Sequence, residues 1–262
     1  MTYQHITLQR DEHIAYVTFN RPHCANALSY EHLAEIEACA LSFRDDAETR
    51  VVIFTGAGKH FSSGADLDDM IGKNTDPMVL KRRRWRIGER AVHALLGIDQ
   101  ITIGAWNGGA LGGGACLVTT MDFRLGTPDT FIQYPEIDLG LNLMWQSLPL
   151  TIRLLGPTRA KRLVIGGEQV QAPTLLDWGL LEAIVDGDKL VESATEFAQT
   201  YVNKSPAAAQ MIKRSINQIS GALDRALMHM DADQNLLTLG MSDQSAAAEA
   251  YLAKQPPRFT GD

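Results

Sequence analysis

The stretch of this chain best suited to chemistry is Trp106-Asn107-Gly108-Gly109-Ala110-Leu111-Gly112-Gly113-Gly114-Ala115-Cys116-Leu117. It follows the apolar run Ile101-Thr102-Ile103-Gly104-Ala105, which reads as a buried strand, and precedes what reads as a buried helix. Glycines between strand and helix let the backbone pass close to a ligand. The first turn of the helix leaves N–H groups without intrahelical partners, and the positive end of the helix dipole points the same way. Such a place suits an oxygen that becomes negative during a reaction. A purely structural role, tight packing of a glycine-rich connection, fits the same glycines. Gly56-Ala57-Gly58-Lys59-His60-Phe61-Ser62-Ser63-Gly64-Ala65-Asp66-Leu67 forms a second such loop after the apolar run 51–55. Glu89 shares a stripe with Trp85, Val92 and Leu96, where a carboxylate has a raised pKa unless paired. Pairing with Arg86 or Arg90 is the simpler expectation for it.

Positioning these residues requires an α/β frame. Ile6-Thr7-Leu8 and His13–Phe19 read as a hairpin turning at Asp11-Glu12. Ser29 is an N-cap for a helix reaching Phe43, and Val51–Thr55 is a central strand. One long helix is expected from Pro77 to Leu96. Strand, loop and helix thus recur over 51–70 and 101–120, which argues for parallel pairing with both glycine loops at strand C-termini, where such sheets bind ligands. Phe123–Leu125, an extended segment at 130–135 and Ala183–Val185 complete the strands. Beyond Lys189 the pattern is helical throughout.

Composition narrows the function further. The 262 residues carry 24 Lys+Arg against 31 Asp+Glu, a net charge of −7. That balance has no basic surplus to follow a phosphate backbone, so a nucleic-acid partner is not expected. No stretch approaches the roughly 20 apolar residues of a membrane span, and residues 1–20 lack a signal-like run. Cys24, Cys39 and Cys116 have neither metal spacing nor an even count, so no metal is expected and a reducing, cytoplasmic location fits. Neither glycine loop is a dinucleotide fingerprint or a P-loop.

Five motifs in register carry a resemblance: Asn20-Arg21-Pro22 with Asn26-Ala27-Leu28, Phe61–Leu67, Asn107-Gly108 with Gly112-Gly113-Gly114, Pro135-Glu136 with Leu139-Gly140, and Pro257–Gly261. Together they resemble the enoyl-CoA hydratase/isomerase (crotonase) family over essentially the whole chain. The resemblance implies a ββα spiral core with a C-terminal helical trimerisation region, here divided as 1–195 and 196–262, and a homotrimer or a homohexamer built from two trimers. It implies an acyl-CoA thioester substrate and no cofactor beyond that coenzyme A. The family's oxyanion donors fall on the amides of Ala65 and Gly113. Its nucleotide and pantetheine contacts fall near His23, Cys24, Ala25, Ser63 and Asp66, with Lys254, Arg258 and Phe259 in the tail. Asp66 also suits a helix cap.

Two departures matter. Family hydratases use two glutamates, one to activate water and one to deliver a proton. The second matches Glu136, whose neighbours Tyr134 and Ile137 suggest a buried setting. The first falls on Cys116, in an apolar helix start, where a small buried thiol is the expected reading. One glutamate suffices to move a double bond, so Glu136 as shuttle base in an isomerase leads. Glu89 is the candidate replacement for the missing carboxylate, since its position resembles that of a catalytic histidine in the dehalogenase branch. The second departure is Leu141-Asn142-Leu143-Met144-Trp145-Gln146, bulky where the family is small, which implies an acyl pocket reshaped by Met144 and Trp145. The alternatives are a β-diketone C–C hydrolase leaning on His60 or His93, and a non-catalytic homologue.

Overall fold

The computed structural model describes residues 2–70 and 76–262. The elements, in chain order, are β1 (Ile6–Asp11), β2 (Ile14–Phe19), α1 (Tyr30–Ser42), β3 (Val51–Gly56), α2 (Leu67–Met70), α3 (Met78–Trp85), α4 (Ile87–Leu96), β4 (Ile101–Trp106), β5 (Gly109–Leu111), α5 (Gly113–Val118), β6 (Phe123–Gly126), β7 (Phe131–Gln133), α6 (Ser147–Val164), β8 (Val170–Gln171), α7 (Ala172–Asp177), β9 (Ala183–Ile184), α8 (Leu190–Val202), α9 (Pro206–Ser220), α10 (Asp224–Met228), α11 (Asp231–Leu239) and α12 (Ser242–Ala253). The main sheet runs β1-β2-β3-β4-β6-β9, with β1 and β2 antiparallel and the rest parallel. A small sheet, β5-β7-β8, stands beside it.

The apolar run of β3 is continuous because both of its faces are covered. Val52 and Phe54 face a cluster that includes Leu33 and Ile36 of α1 and Val92 and Leu95 of α4. Val51 and Ile53 face the other way, with Ile103, onto Ala194 and Ala198 of α8. The two alanines are fully buried, and their small size lets that helix lie close to the sheet. The expected boundary at 195/196 falls inside α8, which contributes residues from Leu190 to Val202 to this cluster.

Ser29 caps α1 by accepting the His32 N–H. The helix expected over 77–96 is interrupted at Arg86, whose φ of −82° and ψ of 7° end α3 and start α4. The break lets Trp85 turn toward α11, where its indole N–H donates to Asn235 at 2.9 Å. α6 bends at Gly156, whose φ of 78° no helix contains. Among the described residues no helix is long and apolar enough to cross a membrane, and no cluster of His, Cys, Asp and Glu could hold a metal.

Candidate active site

Both glycine loops leave neighbouring parallel strands, β3 and β4, at their C-terminal ends. Hydrogen bonds lock them together. Ser62 N–H donates to Gly109 O at 3.2 Å, and Leu111 N–H donates to Ser62 O at 3.0 Å. Asn107 donates its side-chain amide to Gly56 O and Gly58 O and accepts the Gly56 N–H. Buried Asn26 fixes the same loop from below through Ala57 O and His60 O.

Among the described residues that locking leaves the amides of Ala65 and Gly113 without an acceptor. Leu28 N–H donates to Gly64 O and Asp66 N–H to Leu28 O, so the bonds flank Ala65 and skip its own N–H. Gly112 N–H donates to Gln133 O, while Gly113 opens α5 and its N–H has no acceptor among the described residues. The loops meet here: a Cβ on Gly64 would lie 3.4 Å from the Gly113 nitrogen. Ala65 and Gly113 line one cavity of about 120 Å³, together with Cys116, Glu136, Met144 and Trp145.

Glu136 sits on the tight helical turn Pro135–Leu139. The residue as a whole is half-buried, but its carboxyl Oε2 is enclosed and has no hydrogen-bond partner among the described residues. Burial pushes its pKa up to about 7, and its own backbone N–H offsets this only in part. A carboxylate so tuned is a base poised near neutral pH. The turn's neighbours correct one expectation. Tyr134 is fully buried, but Ile137 is 38% exposed, while Gly112 lies directly against the carboxyl, where a Cβ would be 2.6 Å from Oε1. Cys116 is 1% exposed, and burial, with Glu136 nearby, raises its pKa far above the ordinary thiol range. It is a neutral thiol.

Glu89 is not brought to this cavity. It accepts two bonds from the Arg86 guanidinium, at 2.7 and 2.8 Å, and one from the Gln146 side-chain amide at 3.0 Å. These partners satisfy the charge on the buried stripe, and the expected pair with Arg86 is the one that forms. His60 accepts the Gly109 N–H at 3.1 Å and so holds a glycine loop, and His93 bonds Gln146 at 2.6 Å. Neither lines the cavity. A larger cavity of about 770 Å³, between α4, α6 and α9, contains His93 and Lys213 but neither free amide.

Ser63 lines the cavity and ties it to the adjoining segment His23–Ala25, its N–H donating to Ala25 O and its hydroxyl to Cys24 O. Asp66 accepts from Arg21 at 3.1 Å and from the Asp69 amide at 3.4 Å, a helix cap and an ion pair together. Lys254, Arg258 and Phe259 are exposed. Their tail is tied instead to Asp243, which accepts the Thr260 and Gly261 amides, and no hydrogen bond among the described residues joins it to the His23–Ala25 surface. Two cavity residues carry no local signal in the sequence: Trp85 and Asn235 meet across 150 positions, a contact that only the tertiary fold creates.

Comparison with known proteins agrees with this geometry. The family model described as enoyl-CoA hydratase/isomerase matches residues 9–262. A crotonyl-CoA hydratase of Syntrophomonas wolfei is 30% identical over 261 residues, covering 99% of each chain. A mitochondrial Delta(3,5)-Delta(2,4)-dienoyl-CoA isomerase of Mus musculus is 29% identical over 257 residues, 93% of this chain and 78% of that protein. The crystal structure of an enoyl-CoA hydratase from Mycobacterium avium subsp. paratuberculosis K-10 superposes with a TM-score of 0.87 at 22% identity, over 99% of this chain and 100% of the other. The match of the family model across residues 9–262, with relatives 30% identical over the whole chain, places this chain in the enoyl-CoA hydratase/isomerase family.

Proposed function

We propose that this enzyme moves the double bond of an enoyl-CoA thioester with Glu136 as its single acid/base. The observation that carries the reading is the pairing across the cavity: one enclosed carboxylate at Glu136, and a neutral thiol at Cys116 where a hydratase needs a second carboxylate. Ionised Glu136 takes a proton from the carbon next to the thioester carbonyl. The electron pair moves into the enolate, and the oxygen that becomes negative accepts from the Ala65 and Gly113 amides. One such donor is worth on the order of 3 kcal/mol of barrier. The protonated Glu136 then returns the proton two carbons further along, and the double bond comes to rest beside the carbonyl.

The coenzyme A part lies, on this reading, along the surface of His23, Cys24, Ala25 and Ser63. The exposed apolar residues Met211, Ile212, Ile216, Ile219, Leu227 and Leu237 of the C-terminal helices support a trimer or hexamer. The β-diketone hydrolase reading loses its histidines, since His60 and His93 are both engaged away from the cavity.

The test is mass spectrometry of a panel of enoyl-CoA thioesters in deuterated water. Deuterium uptake without a gain of water, from solvent exchange on the protonated carboxyl before the proton is returned, supports the isomerase. A mass gain of one water identifies a hydratase and rejects the single-base reading.

A further inference from the structure

Met144 and Trp145 line the cavity, and the segment Met144–Gln146 is built unusually. Trp145 and Gln146 have φ values of 67° and 54°, the left-handed region that bulky side chains avoid. Such a backbone persists only where its surroundings over-determine it. Here they do. The buried Asp231 carboxylate of α11 accepts the Gln146 N–H. The Trp145 ring is only 2% exposed and is clamped between two glycines. A Cβ on Gly88 would lie 1.9 Å from its Cε2, and one on Gly113 would lie 2.3 Å from its Cζ3. Gly88 is the second residue of α4, in its first turn. Its presence is explained by the ring, since no other residue leaves the space.

The ring therefore presses on the same Gly113 whose amide faces the thioester oxygen, and it also lines the cavity. We infer that Trp145 is the fixed end wall of the acyl site and makes this enzyme selective for short acyl chains, of about four to six carbons. The cavity of about 120 Å³ agrees. An engineered cavity of about 150 Å³ holds benzene, a six-carbon body. A longer chain has to displace a ring wedged between two backbones. This inference rests on the acyl-CoA reading of the site, but not on which reaction follows.

Calorimetric titration with saturated butyryl-CoA and decanoyl-CoA tests it without any turnover. The wild-type protein is expected to bind butyryl-CoA at least about tenfold more tightly, which is about 1.4 kcal/mol. Trp145→Ala is expected to bind decanoyl-CoA at least as well as butyryl-CoA. Trp145→Phe keeps an apolar ring in the clamp and is expected to move the cut-off to longer chains while remaining folded by circular dichroism. Equal wild-type affinity for both ligands overturns the inference. So does a folded variant with the wild-type length profile. If the variants do not fold, the wild-type comparison decides alone. Binding of neither ligand, nor of free coenzyme A, is a different result: it removes the acyl-CoA reading and this inference with it.

Discussion

A methyl group on the α-carbon of Gly112 would lie 2.6 Å from Oε1 of Glu136. Gly112 also has φ 46° and ψ −115°, which an L side chain rarely adopts. The glycine is thus the floor on which the base rests. Gly112→Ala is expected to push the carboxylate away from the reacting carbons. A displacement of about 1 Å costs on the order of 100-fold in rate. Steady-state kinetics should show the loss in kcat with little change in acyl-CoA affinity, because the surface proposed for coenzyme A lies elsewhere. An alanine variant with wild-type kcat would mean that the carboxylate is not the working group.

The raised pKa of Glu136 sets a pH profile. On the proposed mechanism the base works ionised, and its pKa is pushed up to about 7, so activity is expected to climb with pH up to about 7 and to level above it. Below that value kcat/KM is expected to fall about tenfold per pH unit. A limb near the ordinary glutamate value instead would show that burial does not act on the free enzyme's carboxylate.

Cys116 occupies the cavity without the means to ionise. Its thiol is held neutral by burial, so it neither attacks substrate nor transfers a proton at neutral pH. Cys116→Ala is expected to retain the order of magnitude of turnover and the wild-type pH profile. Native protein should likewise leave this thiol unmodified by a disulfide reagent, while half-buried Cys24 reacts first. Loss of activity on modification of Cys116 alone in the folded protein would assign it a chemical role.

The parts of this site that the sequence made readable are the local ones. The glycine loops announce themselves because turns and close backbone approach restrict residue type, and Ser29 announces α1 because capping needs a short side-chain acceptor. The break at Arg86 was not readable, since α3 and α4 share one apolar stripe and differ only in how Trp85 meets Asn235. Gly88 carries no sign of its role in the sequence, because only the tertiary fold brings the Trp145 ring into the space beside it. Ile137 misled for a related reason: apolar character says what a residue prefers, while the tight turn at Pro135–Leu139 decides which way it points.

Glu89 gives a contrast to Glu136. As a residue it is more withdrawn from solvent than Glu136, but Arg86 and Gln146 satisfy it. Glu89→Gln keeps an acceptor for Gln146 and loses the charge that meets Arg86. The expected result is destabilisation of about 1–3 kcal/mol in chemical denaturation. Turnover should keep its order of magnitude and its pH limb, because the side chain does not line the cavity. A collapse of kcat in a variant as stable as wild type would return Glu89 to the mechanism.

Glu136 itself carries a stability cost whose sign is fixed by its pKa. The unfolded value is 4.5 and the folded value about 7, so the folded state holds the extra proton. The side chain's favourable contribution is therefore complete below pH 4.5 and is lost as pH rises through about 7. The difference between the ends is on the order of 3 kcal/mol. Glu136→Gln is neutral at every pH and escapes that loss. Thermal melts should find the variant close to wild type at pH 4.5 and several degrees more stable at pH 8, while its turnover is abolished. This is the expected trade where an active site keeps an unpaired charge under cover. Wild type and variant melting together at pH 8 would show that the carboxylate is solvated in the folded enzyme, and the poised base would lose its physical cause.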